Sequence, residues 1–186
     1  MPTIEIVFLR SLFTILLTLP FLFRRGRISW KTSRIDLQLL RGIVGVCSMS
    51  TWYYALAALP LADAGALSFT TALFVTIGAG LLLGEAVGLL RWSAVVIGLI
   101  GTIIVLKPGT GLISIGAIAA LGSSILWAGS LLMAKVLARY DSTLTITFYQ
   151  PLMISPFALI GALPVWVWPS GYSWAVLFVM GLLAAI

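Results

Sequence analysis

Arg10 stands roughly six residues, or about 9 Å of helix, into an apolar run. A guanidinium at that depth in hydrocarbon costs at least a few kcal/mol, so an ionisable residue there is a functional candidate by default. Its chemistry would be to hold an anionic group of a solute. The alternatives are a structural partner, Glu5 or Asp63, or a side chain that reaches outward to the interface. Tyr53, Tyr54, Trp127, Tyr149 and Gln150 also fall inside apolar runs. A solute cavity needs flat rings for stacking and a few hydrogen-bonding groups; helix packing or contact with lipid would use the same residues. An aromatic belt near the interface suits Trp166, Trp168 and Trp174 better than Trp127. Arg41 and Glu85 are expected on one side of antiparallel neighbours, where a structural ion pair is the simpler reading and a gate the other. Asp63 fits a helix cap favoured by the macrodipole, with a coupling-ion site as its alternative.

Other chemistries lack their residues. The chain has no histidine and one cysteine, Cys47, inside an apolar run. That leaves no histidine base, no zinc-protease motif and no internal disulfide. No glycine-rich loop leads into a Lys-Ser or Lys-Thr phosphate site. Asp36, Asp63 and Asp141 sit at the ends of runs, where an intramembrane aspartyl pair would not work. Neither an enzyme nor a cofactor or metal site is expected.

The elements that must position these residues follow from composition. Of 186 residues, 61% are hydrophobic and 9% charged, and the mean hydropathy is +1.17. A soluble domain has about 45–50% apolar and about 25% charged residues, so a soluble globular fold is excluded. A spanning helix needs about 20 mostly apolar residues. On that template seven spans are expected, over 4–23, 37–58, 64–84, 91–107, 115–137, 144–165 and 174–186. Asp63, Ser114, Ser142 and Ser173 are candidate caps, and Pro108-Gly109 and Pro169-Ser170-Gly171 candidate turns. The last span is short and stops at Ile186 within an apolar run, so a fragment or a truncated gene product is expected. The start, Met1-Pro2-Thr3-Ile4-Glu5, has no basic region and does not read as a signal peptide.

Charge gives the expected orientation. Arg24, Arg25, Arg27, Lys31 and Arg34 in the first connection, Arg91 in the third, and Lys135 and Arg139 around the fifth fall on one side if spans alternate. The opposite side holds Lys107. An eight-to-one bias places the Arg24–Arg34 connection in the cytoplasm of a multi-pass protein of the inner (plasma) membrane. It also accounts for the net charge of +6 without a nucleic-acid partner. The expected partners are the lipid bilayer and a small-molecule solute.

A duplication underlies the spans. Phe8-Leu9-Arg10-Ser11-Leu12 aligns with Phe148-Tyr149-Gln150-Pro151-Leu152 at an offset of 140, and Arg41-Gly42 with Met180-Gly181 at 139. The agreement implies a five-span unit, and an odd number inverts the second copy. Inverted repeats mark secondary transporters. On this reading one helix is missing before Met1, and the parent has ten. Pro151 and Pro156 within the sixth span free backbone carbonyls for a hinge or site, or are plain kinks. Gly80 with Gly84, and Gly98 with Gly101, read as close-packing positions within the bundle or in a homodimer.

The stretch from Tyr53 to Gly109 carries a likeness. It runs through Tyr53-Tyr54-Ala55-Leu56, Leu59-Pro60-Leu61-Ala62-Asp63-Ala64, Leu67-Ser68-Phe69-Thr70, Leu82-Leu83-Gly84-Glu85, Arg91-Trp92, Gly98-Leu99-Ile100-Gly101 and Lys107-Pro108-Gly109. In order and spacing it resembles the EamA family of the drug/metabolite transporter superfamily. The resemblance implies an all-α polytopic membrane helix bundle of ten helices in two inverted five-helix repeats. Residues 1–109 would be the first repeat without its first helix, and 114–186 a second repeat cut within its third. It further implies alternating-access transport of a small polar metabolite through a central cavity: an amino-acid metabolite, nucleoside, vitamin or adenosylmethionine-like solute. The competing reading is a non-transporting membrane protein or remnant that acts by helix association. Family members often carry proline where Ala72 stands, so this chain would lack that kink.

Overall fold

The computed structural model describes residues 2–24, 32–106, 114–169 and 171–185. The chain is all-α among them. Its helices are α1 (Thr3–Arg24), α2 (Ile35–Ala58), α3 (Leu61–Ser68), α4 (Thr70–Leu82), α5 (Leu89–Leu106), α6 (Ile115–Leu137), α7 (Thr143–Ala162) and α8 (Gly171–Ala185), with a 3₁₀ turn at Leu163–Val165. Hydrocarbon offers no partner for a bare N–H or C=O, so apolar segments of this length must satisfy their backbones internally. Among the described residues, three segments are long and apolar enough to cross a membrane: Leu61–Leu82, Ile115–Leu137 and Thr143–Val165. Leu89–Ile104 and Ser173–Leu183 are shorter apolar helices. The chain is therefore multi-spanning.

Each expected span coincides with helix, and the ends show why. Ser142 at the N-cap of α7 accepts the Thr145 N–H at 3.2 Å, and Ser114 accepts the Ala117 N–H at 3.1 Å before α6. Asp63 lies inside the first turn of α3 rather than ahead of it, because the helix already starts behind Pro60 at the N-cap. Ser173 likewise lies within α8, which starts at Gly171. Gly84 has φ +64°, a conformation that glycine alone adopts freely, and the Glu85 N–H closes on the Ala79 carbonyl. Gly84 is thus a stop for α4 and not the packing position expected of it. Pro108-Gly109, Lys107, Arg25, Arg27 and Lys31 lie outside the described residues.

The third expected span is broken at Phe69 into α3 and α4, without a proline. The Leu67 carbonyl accepts the Thr70 hydroxyl at 2.6 Å and the Ser124 hydroxyl at 3.3 Å. The Ala72 N–H turns to the Phe69 carbonyl at 3.1 Å, a tight 3₁₀-type bond. Hydroxyls do here what an imino ring would otherwise force.

The chain forms two compact units. One comprises 1–46 and 133–186, the other 47–132. In the first, α1 packs on α7 and α8. Phe13 lies edge-on to Trp174 and Phe178, with centroids 6.1 and 5.8 Å away. Gly42 and Gly45 bring α2 onto α7: a Cβ on Gly42 would stand 2.6 Å from Met153 Cβ and 3.1 Å from its backbone carbon. In the second unit, Ala55, Leu67, Ala117 and Ala120 form a buried small-residue core, and Gly98 admits Leu73 of α4 against α5. Small residues at such contacts let backbones approach closely.

These contacts make a prediction. Gly42→Ala forces two backbones apart and is expected to cost about 1–3 kcal/mol. Gly161→Ala meets only the flexible tip of Ile4 and is expected to cost less. Thermal unfolding of the two variants in one detergent tests the order.

Candidate functional site

In the first unit the polar residues converge where α2 crosses α7. Gln38 and Arg41 are three apart on α2 and so share a face. Both are buried, with 1% and 4% of their surface exposed. Arg41 donates through Nη1 to the Ile146 carbonyl at 2.9 Å and through Nη2 to Gln150 Oε1 at 2.6 Å. Its Nε–H has no hydrogen-bond partner among the described residues, and the Gln38 amide stands beside the Asp141 carboxyl. Pro151 follows Gln150 inside α7 and cannot donate to the Thr147 carbonyl, one residue beyond the one Arg41 holds. Tyr149 sits half-buried against Phe148, with rings 6.3 Å apart at 89°.

At the other end of α7, Glu5 is fully buried. Its Oε2 accepts the Val167 N–H at 3.3 Å, and Oε1 has no hydrogen-bond partner among the described residues. Phe8 lies edge-on to Trp166 at 6.0 Å. Arg10 is half-buried on α1.

The remaining sequence candidates belong to the second unit. Tyr53 and Trp127 are half-buried, and Tyr54 is 47% exposed. Asp63 is exposed and Glu85 half-buried. The Ser48 hydroxyl donates to the Ser123 carbonyl at 2.9 Å and ties α2 to α6. An open groove of about 540 Å³ runs along Leu61, Gly65, Phe69, Leu73, Gly98 and Thr102. Its lining is almost wholly apolar, which suits an acyl chain better than a polar solute.

Of the residues named from sequence, Arg41 and Gln150 are joined directly. Gln38, Ser123 and Ser124 were missed, because neutral polar side chains in a helix carry no charge signal. The spacing of Gln38 three residues before Arg41 was the available clue.

Outside the spans, Asp141 ties the start of α2 to the turn before α7. It accepts the Ser33 N–H at 2.9 Å and the Thr32 hydroxyl. Partial burial alone would raise the Asp141 carboxyl, but these hydrogen bonds outweigh it and hold the group below the usual carboxylate value. A depressed carboxylate adds stability above its unfolded value, near pH 4, and loses it as pH falls through the folded one. Asp141→Asn should therefore destabilise at neutral pH by less than about 1 kcal/mol. The gap from the parent should close below pH 4 in unfolding scans.

Residues 1–107 match the EamA-like transporter family. The chain is 35% identical over 189 residues to a riboflavin transporter of Vibrio cholerae, covering 100% of this chain and 63% of that protein. It is 32% identical over 177 residues to an S-adenosylmethionine uptake transporter of Rickettsia felis, covering 95% of this chain and 60% of the other. It is 29% identical over 176 residues to a pseudopaline exporter of Pseudomonas aeruginosa, covering 89% and 62% respectively. The chain thus spans less than two thirds of the length of these relatives. No solved structure matches it.

Proposed function

Because this chain belongs to the EamA-like transporter family, we propose that it carries a small polar metabolite across the inner (plasma) membrane by alternating access. Membership sets it among transporters rather than enzymes. The family match over 1–107, in a chain with several membrane-length apolar helices, is the observation that carries the reading. We assign the pathway to Arg10, Tyr53, Tyr54, Trp127, Tyr149 and Gln150, with residues 1–109 and 114–186 as two inverted repeats of a ten-helix plan. Buried polar side chains in apolar helices, Gln38 and Arg41 with Gln150 beside them, support a polar solute. The relatives named above are a riboflavin transporter, an S-adenosylmethionine uptake transporter and a pseudopaline exporter, so likeness leaves solute and direction to experiment.

A second reading rests on the same coverage. A chain spanning 60–63% of its relatives' length can act by helix association instead. A homodimer through glycine faces would not use Gly98, which Leu73 already fills; Gly101 has open space around it.

Uptake of labelled riboflavin and S-adenosylmethionine into proteoliposomes tests transport. One solute should enter saturably. Arg10→Ala or Trp127→Ala should cut entry at least about tenfold, or ~1.4 kcal/mol, with normal amounts in the membrane. Full accumulation of the parent with no uptake or counterflow of either solute would favour association. For topology, single cysteines in a Cys47→Ser background at positions 29, 87 and 140 should resist an impermeant thiol reagent added to intact cells. Cysteines at 60, 111 and 168 should react; the reverse pattern would invert the assignment.

A further inference from the structure

We propose that Glu5 and Asp141 are a matched pair of latches, one closing each end of the α1–α7 pair, and that opening an end releases its carboxylate. The proposal rests on the alternating-access reading above. The two helices pack together and run antiparallel: Gly161, near the end of α7, meets Ile4 at the start of α1. At that end Glu5 Oε2 accepts the Val167 N–H at 3.3 Å, from the stretch between α7 and α8. At the other end Asp141, just ahead of α7, accepts the Ser33 N–H at 2.9 Å and the Thr32 hydroxyl, from the stretch between α1 and α2. The arrangement is reciprocal. Each helix start carries a carboxylate, and each carboxylate takes a backbone N–H from the stretch that follows the other helix. The two lie a membrane apart, since the 20 residues of α7 rise about 30 Å.

An acidic residue near a helix N-terminus is favoured by the macrodipole. That accounts for the positions of Glu5 and Asp141 but not for their partners. Ser142 already caps α7 by accepting the Thr145 N–H, and Asp141 reaches 108 residues back instead. Glu5 reaches 162 residues ahead. Nor is the Glu5 tie built as a fixed strut. The carboxyl is fully buried, yet Oε1 has no partner among the described residues, and an unmet buried acceptor costs stability. The stretch it holds is open on its other side, with Val167 53% and Trp168 78% exposed. It rests on α1 at this hydrogen bond and at the Phe8–Trp166 ring contact. Asp141 has more donors: Ser33, Thr32 and the Gln38 amide beside it. The Asp141 end is therefore the better closed, and the Glu5 end opens more readily.

The test uses the full chain with Tyr149→Cys as reporter in the Cys47→Ser background, since Tyr149 lies on α7 between the two ends. An impermeant thiol reagent is applied to intact cells and to inverted vesicles. In the orientation proposed above, Glu5 is at the outer end and Asp141 at the cytoplasmic one. Glu5→Ala should speed labelling from outside about threefold or more and slow it from inside, as loss of one net hydrogen bond predicts. Asp141→Ala should do the reverse. Glu5→Gln keeps an acceptor oxygen for Val167 and should stay nearer the parent than Glu5→Ala. If Glu5→Ala fails to fold, Val167→Pro removes the N–H and leaves the carboxyl. Trp166, with ψ 126°, already has the extended backbone that a following proline favours. Faster labelling from both sides in both variants would be general loosening and would overturn the latches, as would parental rates in both. A shift in only one of the two would overturn the pairing. The same reciprocity with the sides exchanged would keep the latches and invert the topology. Reciprocal labelling in a parent that takes up neither riboflavin nor S-adenosylmethionine would keep the latches and remove transport of those solutes. Saturable uptake without reciprocal labelling would keep transport and remove the latches.

Discussion

Hydrocarbon cannot hydrogen-bond, and the rest of this structure follows from that. Every long apolar segment must close its own backbone as helix. Wherever a helix departs from regularity, some side chain has to answer the exposed carbonyl. At Phe69 two hydroxyls answer it, from Thr70 on the same segment and Ser124 on α6. Next to Pro151, which leaves the Thr147 carbonyl without its backbone donor, a guanidinium from α2 reaches the neighbouring Ile146 carbonyl. In both places another helix supplies a side-chain bond to the backbone. The irregularities therefore also act as joints between segments.

The close approaches obey the same logic. With lipid as apolar as the helices themselves, association rests on contact and not on hydrophobic gain. Gly42 against Met153, Gly98 against Leu73 and Gly181 against Phe13 are close approaches that a side chain would obstruct. The polar repairs then operate at short range. Arg41 reaches α7 because the residue beside it has no side chain.

Much of the fold was legible in the sequence because it is written in long apolar runs and their punctuation. Ser114 and Ser142 cap α6 and α7 as their spacing suggested. The third span was harder. Its break is held by hydroxyls whose acceptor lies on another turn or helix, and no local pattern marks such a bond. Gly84 was misread for a related reason. A small residue repeated every four positions looks the same whether it packs against a helix or ends one, and only the positive φ separates the two. The site was less legible still. Charge singled out Arg41, but its acceptors are a carbonyl and an amide on α7, over a hundred residues away. Gln38 gave no charge signal, and its burial between Arg41 and Asp141 exists only in three dimensions.

A bend imposed by proline is permanent, because the missing N–H cannot be restored. The break at Phe69 is of another kind. Thr71 is not a proline and keeps its N–H, so nothing in the backbone chemistry itself imposes the bend. It is held by the Thr70 and Ser124 hydroxyls, both buried, which would lose their acceptor if the segment straightened. The course of the chain from Leu61 to Leu82 is thus set partly by a neighbour, and a change at Ser124 on α6 is felt where α3 passes into α4.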